Sequence, residues 1–279
     1  MGRHLLIAES GATKTDWVLS KSDGASSFRT QGLNPSAVSP ESISQVIQSV
    51  ASHWSSEPIH GVHFYGAGCG TAANRHLMTQ SLSQVFGTID ITVGSDLEAA
   101  VRSAPMDSGI AGILGTGSHS CEFRNYEITT AIGGHGYLLG DEGSGADLGR
   151  HFIAALLRNE LPDRCRLAVE SHAGMTLEQI KRQTYKEERP NAFLGQFTKP
   201  MAKCLDVPPV KELVVSRFRA YVESTFVRYE GWQQKPLYLV GSVAYFFQAV
   251  LTETIDEFGG KLTAISKAPI DGLRRYHGA

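Results

Sequence analysis

The stretch GIAGILGTGSHSCEFRNYEITTAIGG, residues 109–134, decides how the rest of the chain is read. An apolar run ends in a glycine turn, a second run leads away from it, and a tight turn sends back a third. The same order stands near the start of the chain. HLLIAES (4–10) reads as a buried strand, GATKT (11–15) as a glycine turn, and DWVLSKSDG (16–24) as a second strand closed at Asp23-Gly24. SSFRTQGL (26–33) reads as a third strand. Thr13 and Thr116 occupy matching places, 103 residues apart. A plan that restarts in this way points to two α/β lobes in tandem.

The segments between fit that plan. ESISQVIQSVASHW (41–54) spaces Ile43, Val46, Ile47 and Val50 at helical period. IHGVHFYGAG (59–68) reads as a strand, NRHLMTQSLSQVF (74–86) as a helix, TIDITVG (88–94) as a strand and DLEAAVRSA (96–104) as a short helix. Residues from about 144 to 230 read as mostly helical, punctuated by Pro190, Pro200 and Pro208-Pro209. LYLV (237–240) then returns to strand before the glycine turn of VGSVA and a helix. The expected lobes are residues 1–108, rejoined by about 260–279, and residues 109–259 with a helical insertion.

Composition narrows the function. The 279 residues carry 26 basic and 28 acidic side chains, a formal charge of −2. Phosphate backbones need a basic face, so nucleic acid is not the expected partner. No apolar run approaches the ~18–20 residues of a membrane span, and MGRHLLIAES lacks a secretory apolar region. Cys69, Cys121, Cys165 and Cys204 stand far apart with no CxxC pair. A reducing, cytoplasmic setting is therefore expected, without a disulfide framework or zinc knuckle. Glycine is the informative excess: 29 residues, about 10% against an average of ~7%.

Those glycines gather where turns would meet a ligand. A strand–turn–strand tip such as GATKT exposes backbone N–H groups, and concave clusters of them bind anions. The Lys14 ammonium and the hydroxyls of Thr13 and Thr15 add donors. The GxxxxGK[ST] spacing is absent, which excludes a P-loop. Alone, GATKT reads equally well as a plain hairpin turn. LGTGSHS (114–120) is a second tip of the same kind, and the pair suggests a phosphate chain gripped from both. VGSVA (240–244) opens a helix directly after a buried strand, where free N–H groups and the helix dipole favour a ligand, though alone it reads more readily as a simple strand-to-helix turn. GGHGYLLGDEGSGADLGR (133–150) holds seven glycines in eighteen residues. Within it Asp141 and Glu142 can accept hydroxyl hydrogen bonds from a polyol, and Ser144 can cap a helix. Asp96 stands directly after a strand and at a helix start. It reads either as an N-cap or as a carboxylate where α/β folds place their active sites. Asn34 has the corresponding reading as a turn residue.

As a set and in order, AESGATKTDW, GLNPS, FYGAGCG, SDLEAA, ILGTGSHS, GGHGYLLGDEGSGADLGR and LVGSVA resemble the sugar-kinase/Hsp70/actin superfamily. Within it they are most similar to the BadF/BadG-type ATPase and N-acetylglucosamine kinase group. The resemblance spans residues 8–244. It implies two RNase H-like lobes with an interlobe cleft, and ATP with Mg²⁺ as cofactors. By the resemblance, Ser10, Gly11, Ala12 and Thr13, with Lys14 beside them, hold phosphate, as do Thr116 and Gly117. Gly241 and Ser242 take the adenosine. Asp96 is the general base, and Asn34, Ser118, Asp141 and Glu142 lie near an amino sugar. Glu9, where many relatives have Asp, sits near the water shell of Mg²⁺. His119 and His135 stand where relatives often carry Asn and Trp, which bears on sugar specificity.

The expected activity is ATP-dependent phosphorylation of an N-acetylated amino sugar, N-acetylglucosamine first, at the 6-hydroxyl. N-acetylmuramic acid and glucosamine are the alternative substrates, and a homodimer is allowed. An activator ATPase of a radical dehydratase or reductase is a rival from another class. It needs cysteines for an iron–sulfur cluster, and Cys121 and Cys165 lack cluster spacing. A non-catalytic sugar sensor is a third reading, which an intact Asp96 disfavours.

Overall fold

The computed structural model describes residues 3–11, 13–22 and 24–278. Packing divides the chain into one unit of Met1–Pro105 with Pro269–Ala279, and a second of Met106–Ala268.

The first unit is built on β1 (Leu5–Ser10), β2 (Lys14–Lys21), β3 (Gly24–Gln31), α1 (Pro40–His53), β4 (Gly61–Gly66), α2 (Ala72–Phe86), β5 (Asp90–Ser95) and α3 (Asp96–Ser103). Its sheet runs β3-β2-β1-β4-β5. β1 is central, antiparallel to β2 and parallel to β4. A strand covered on both faces reads as a continuous apolar run, which is why LLIA shows no alternation. The pleat sorts its residues all the same. Leu6 and Ala8 pack with Phe64, Ile43, Ile47 and Met78 on one face, while Ile7 packs with Tyr65 and Ala99 on the other. β3, at the edge, keeps only half-buried and exposed residues. α1 starts at Ser39, whose side chain accepts from Ser42 N, with Pro40 inside the first turn where it forfeits no helical bond.

The second unit repeats the topology with β6 (Ser108–Leu114), β7 (Ser118–Arg124), β8 (Glu127–Gly133), a run of helices, β9 (Leu237–Val240) and β10 (Leu262–Ser266). Its sheet runs β10-β9-β6-β7-β8. Again the first strand is central, antiparallel to the second and parallel to the fourth. The helices are α4 (Gly145–Leu157), α5 (Asp163–Ala173), α6 (Leu177–Thr184), α7 (Pro190–Gly195), α8 (Thr198–Lys203) and α9 (Pro208–Ser224) before β9. α10 (Ser242–Phe246) and α11 (Gln248–Glu257) follow it. Pro190 and Pro208 each open a helix, as helix-start prolines do. Phe152, Phe197, Phe218, Phe226 and Leu239 form the centre of this core. α12 (Ile270–Tyr276) returns to the first unit and places Leu273 against Ile7, Tyr65 and Ala99. Two mixed five-stranded sheets flanked by helices give the α/β, actin-like ATPase fold.

Candidate active site

In the first unit the β1–β2 turn is closed by Gly11 N donating to Lys14 O at 2.9 Å. Ala12, named from the sequence as a phosphate ligand, lies outside the described residues. Thr13 and Lys14 are exposed at the tip. Ser10 is fully buried, and its hydroxyl is already engaged. It accepts from Leu33 N at 2.8 Å and pairs with the Thr15 hydroxyl at 2.8 Å. That links the turn to the 32–36 loop. There Asn34 turns its Oδ1 back to accept from Ser36 N at 2.9 Å. Asn34 also packs against Gly68, where a Cβ would meet Asn34 Oδ1 at 2.0 Å. Gly68 at φ +83° thus makes room for the asparagine side chain.

Glu9 stands opposite Asp16 in the β1–β2 register. Burial, with the charges of Asp16 and Asp96, pushes the Glu9 carboxyl up to about 7 against the opposing pull of Lys14. Asp16 behaves oppositely: burial raises it, but hydrogen bonds from Lys14 Nζ and Arg29 Nε hold it below the usual range. Lys14 is therefore paired with Asp16 as well as poised at the tip. Around Glu9 there is an excess of negative charge that a divalent cation would relieve. Among the described residues no group of three His, Cys, Asp or Glu side chains is arranged to hold a metal directly. The residues fit a hydrated Mg²⁺ that meets Glu9 through water.

Asp96 is not the N-cap of α3. Ser95 is: its Oγ accepts from Glu98 N at 3.1 Å, and Glu98 Oε2 accepts from Ser95 N at 2.8 Å. The sequence SDLE carries this capping-box spacing, the signal that assigns the cap to Ser95. Asp96 occupies the next position, half-buried at the carboxyl end of β5, where Oδ1 accepts from Leu97 N at 2.9 Å. The cap of α3 therefore does not depend on the Asp96 side chain.

In the second unit the β6–β7 turn is closed by Gly115 N donating to Gly117 O at 3.0 Å. The start of α4 is tied to it, with Gly145 N donating to Gly115 O at 2.7 Å and Ala146 N to Thr116 O at 3.1 Å. Those helical N–H groups serve the turn itself. Gly241, at φ +130°, presses on the same turn, because a Cβ there would lie 2.2 Å from Leu114 O. Thr116, Gly117, Ser118, Asp141, Gly241 and Ser242 are thereby brought together. The Asp141 carboxylate accepts from the backbone N–H groups of Ser118 and Gly136, while burial pushes its carboxyl up. Its first task is to join the β6–β7 turn to the glycine-rich loop. Glu142 Oε2 accepts from Ser224 Oγ at 3.3 Å.

Beneath that loop lies a residue the sequence did not single out. Asp147 is buried, accepts from Gly143 N at 3.0 Å and Arg217 Nε at 2.7 Å, and pairs with Arg150 and His151. Burial raises its carboxyl, but hydrogen bonds from His151, Arg217 and Gly143 outweigh that and hold it far below the carboxylate range. Ser144 caps α4 by accepting from Asp147 N at 3.2 Å. A cavity of about 490 Å³ flanks the same loop, lined by Tyr137, Leu138, Ile153, Leu157 and Tyr185 among others. It contains none of the residues expected to bind ATP or sugar. All four cysteines are free and buried. Among the described residues no helix is long and apolar enough to cross a membrane.

No family model and no curated protein matches the chain. Solved structures do. A Porphyromonas gingivalis protein that carries the provisional name N-acetylglucosamine kinase is 37% identical, with 98% of each chain covered and a TM-score of 0.92. A Chromobacterium violaceum protein of the same provisional name is 20% identical, with 98% of each chain covered and a TM-score of 0.74. A ROK-family glucokinase from Streptomyces griseus, solved with glucose and AMPPNP, is 15% identical over 98% of this chain and 96% of that one, at a TM-score of 0.62. The last two share the fold. With 37% identity over nearly its whole length, this chain belongs to the family of the Porphyromonas gingivalis protein, among the sugar kinases of actin-like fold.

Proposed function

We propose that the protein is an ATP-dependent kinase of the BadF/BadG-type group that phosphorylates an N-acetylated amino sugar, N-acetylglucosamine at its 6-hydroxyl. The observation that carries this reading is the Ser95–Glu98 capping box, which relieves Asp96 of the cap and leaves its carboxylate at the strand end. The name of the 37%-identical relative supports the sugar.

Phosphoryl transfer asks for positioning and charge neutralisation more than for covalent chemistry. In the first unit Gly11 shapes the turn with its N–H engaged on Lys14 O, and the exposed Thr13 and Lys14 beside it are the donors for phosphate; in the second unit Thr116 and Gly117 have the same part. Gly241 and Ser242 open α10 beside the adenosine. Glu9 would hold Mg²⁺ through water, and the ion would supply neutralisation of the phosphate charge. Asp96 takes the proton of the sugar hydroxyl as that oxygen attacks the γ-phosphorus in line and ADP leaves. Asn34, Ser118 and Glu142 orient the sugar, with Asp141 holding Ser118 in place.

Replacing Asp96 by Asn tests the assignment. The amide retains the shape of the side chain but does not take the hydroxyl proton. Ser95 continues to cap α3, so the fold and the binding of ATP and sugar should stay within a few-fold. Turnover should fall at least about 10²-fold, the lower end of general-base contributions. Calorimetry and steady-state kinetics on one preparation separate binding from chemistry. Near-wild-type turnover removes Asp96 from the reaction.

A further inference from the structure

The C-terminal turn reaches the helix that carries Asp96 through a chain of polar contacts inside the first unit. His277 Nε2 lies 2.8 Å from the Tyr65 hydroxyl, and that hydroxyl accepts from Arg102 Nη1 at 2.9 Å. A guanidinium only donates, so the Tyr65 oxygen accepts from Arg102, and a second hydrogen bond at the same hydroxyl pairs it with the imidazole Nε2. The imidazole is kept neutral: burial first, then the neighbouring His63 and the Arg102 charge, push His277 down to about 3. Its ring stacks on His63 at 3.8 Å between centroids, 10° from parallel.

From Arg102 the chain continues to the catalytic helix. Arg102 lies over the rings of Tyr65 and Tyr276, 5.5 Å from each centroid, and 4.0 Å from Glu98. Glu98 takes both Arg75 Nη2 at 2.6 Å and Arg75 Nη1 at 3.3 Å, and it closes the capping box on Ser95, next to Asp96. Backbone packing supports the same link. A Cβ at Gly272 of α12 would meet Ser103 O of α3 at 2.3 Å, and one at Gly94, just before the cap, would meet the Tyr65 ring at 2.7 Å. Both glycines permit contact that any side chain would break.

We propose that His277, acting through Tyr65, Arg102 and Glu98, is a positioning residue that fixes the first turn of α3 and with it the Asp96 carboxylate. The inference rests on the assignment of Asp96 as base. A displacement of a reacting group by about 1 Å can cost on the order of 10²-fold in rate, and loss of one link from this chain should cost less.

The test uses the full chain with His277→Ala, His277→Gln and Tyr65→Phe. His277 is half-buried, and circular dichroism and a thermal melt of each variant check that the fold is kept. His277→Ala and Tyr65→Phe should each lower kcat about 10-fold, with KM for ATP and for sugar within about 2-fold. Gln places an acceptor near the position of Nε2, so His277→Gln should recover most of the loss. On an Asp96→Asn background, His277→Ala should cause no further loss, since the group being positioned is gone. Unchanged kcat in both His277→Ala and Tyr65→Phe, or a full multiplicative loss on the Asp96→Asn background, overturns the proposal. If Asp96→Asn alone turns over at the wild-type rate, it is the base assignment that falls, and this inference falls with it.

Discussion

If the proposed function holds, Glu9 is the residue on which stability and function pull apart. The antiparallel register sets it across from Asp16, and like charges directly opposite destabilise a pair of strands. Asp16 has Lys14 and Arg29 as partners, whereas Glu9 is left with burial and two facing carboxylates. Its carboxyl is raised to about 7 from an ordinary value of 4.5. Below the lower value it is protonated whether the chain is folded or not, and it adds nothing to the pH dependence. As pH rises through the interval, unfolding releases its proton and the native state loses stability; above about 7 the penalty is complete. Glu9→Gln should therefore stabilise the protein at pH 8 by about 1–3 kcal/mol and by far less at pH 4. Urea unfolding at the two pH values measures the difference. The variant should also need more Mg²⁺ for half-maximal activity. An equal effect at both pH values would mean that Glu9 is ionised normally.

At the scale of elements, the second unit is organised around a crowded turn. Leu114–Gly117 receives the first N–H groups of α4, the Asp141-tied loop and the Gly241 backbone, all within van der Waals distance. Gly241 has no latitude there, because both its positive φ and the approach to Leu114 O exclude a side chain. Gly241→Ala should cost about 2–4 kcal/mol by the strain and overlap. It should raise the KM for ATP several-fold more than the KM for sugar. Unfolding curves and two-substrate kinetics check both, and unchanged values would show that the turn yields. The glycine spacing that marks these turns was visible in the sequence, because a local backbone need writes itself locally. So was SDLE, whose capping box corrects the placement of the cap on Asp96. Asp147 was not visible: it sits at an ordinary helix position, and only the fold brings Arg217 from α9 to it.

Across the whole molecule, the repeated topology explains why 4–33 and 109–134 read alike. In each unit a buried central strand turns through glycine into an antiparallel neighbour, and the turn carries Thr13 or Thr116. β10 and α12 escape such a reading for physical reasons. LTAIS is five residues without a flanking hairpin signal, and α12 gains its place from contacts with Ile7, Tyr65 and Ala99 far back in the chain. The most direct test of the central claim is an ADP-release assay over a panel of N-acetylglucosamine, glucosamine, N-acetylmuramic acid, N-acetylmannosamine and glucose, with mass and NMR identification of the product. The account predicts Mg²⁺-dependent ADP formation matched one-to-one by N-acetylglucosamine 6-phosphate, with the other sugars slower. Turnover of N-acetylmuramic acid without N-acetylglucosamine, or ADP release with no phosphorylated sugar, would contradict it.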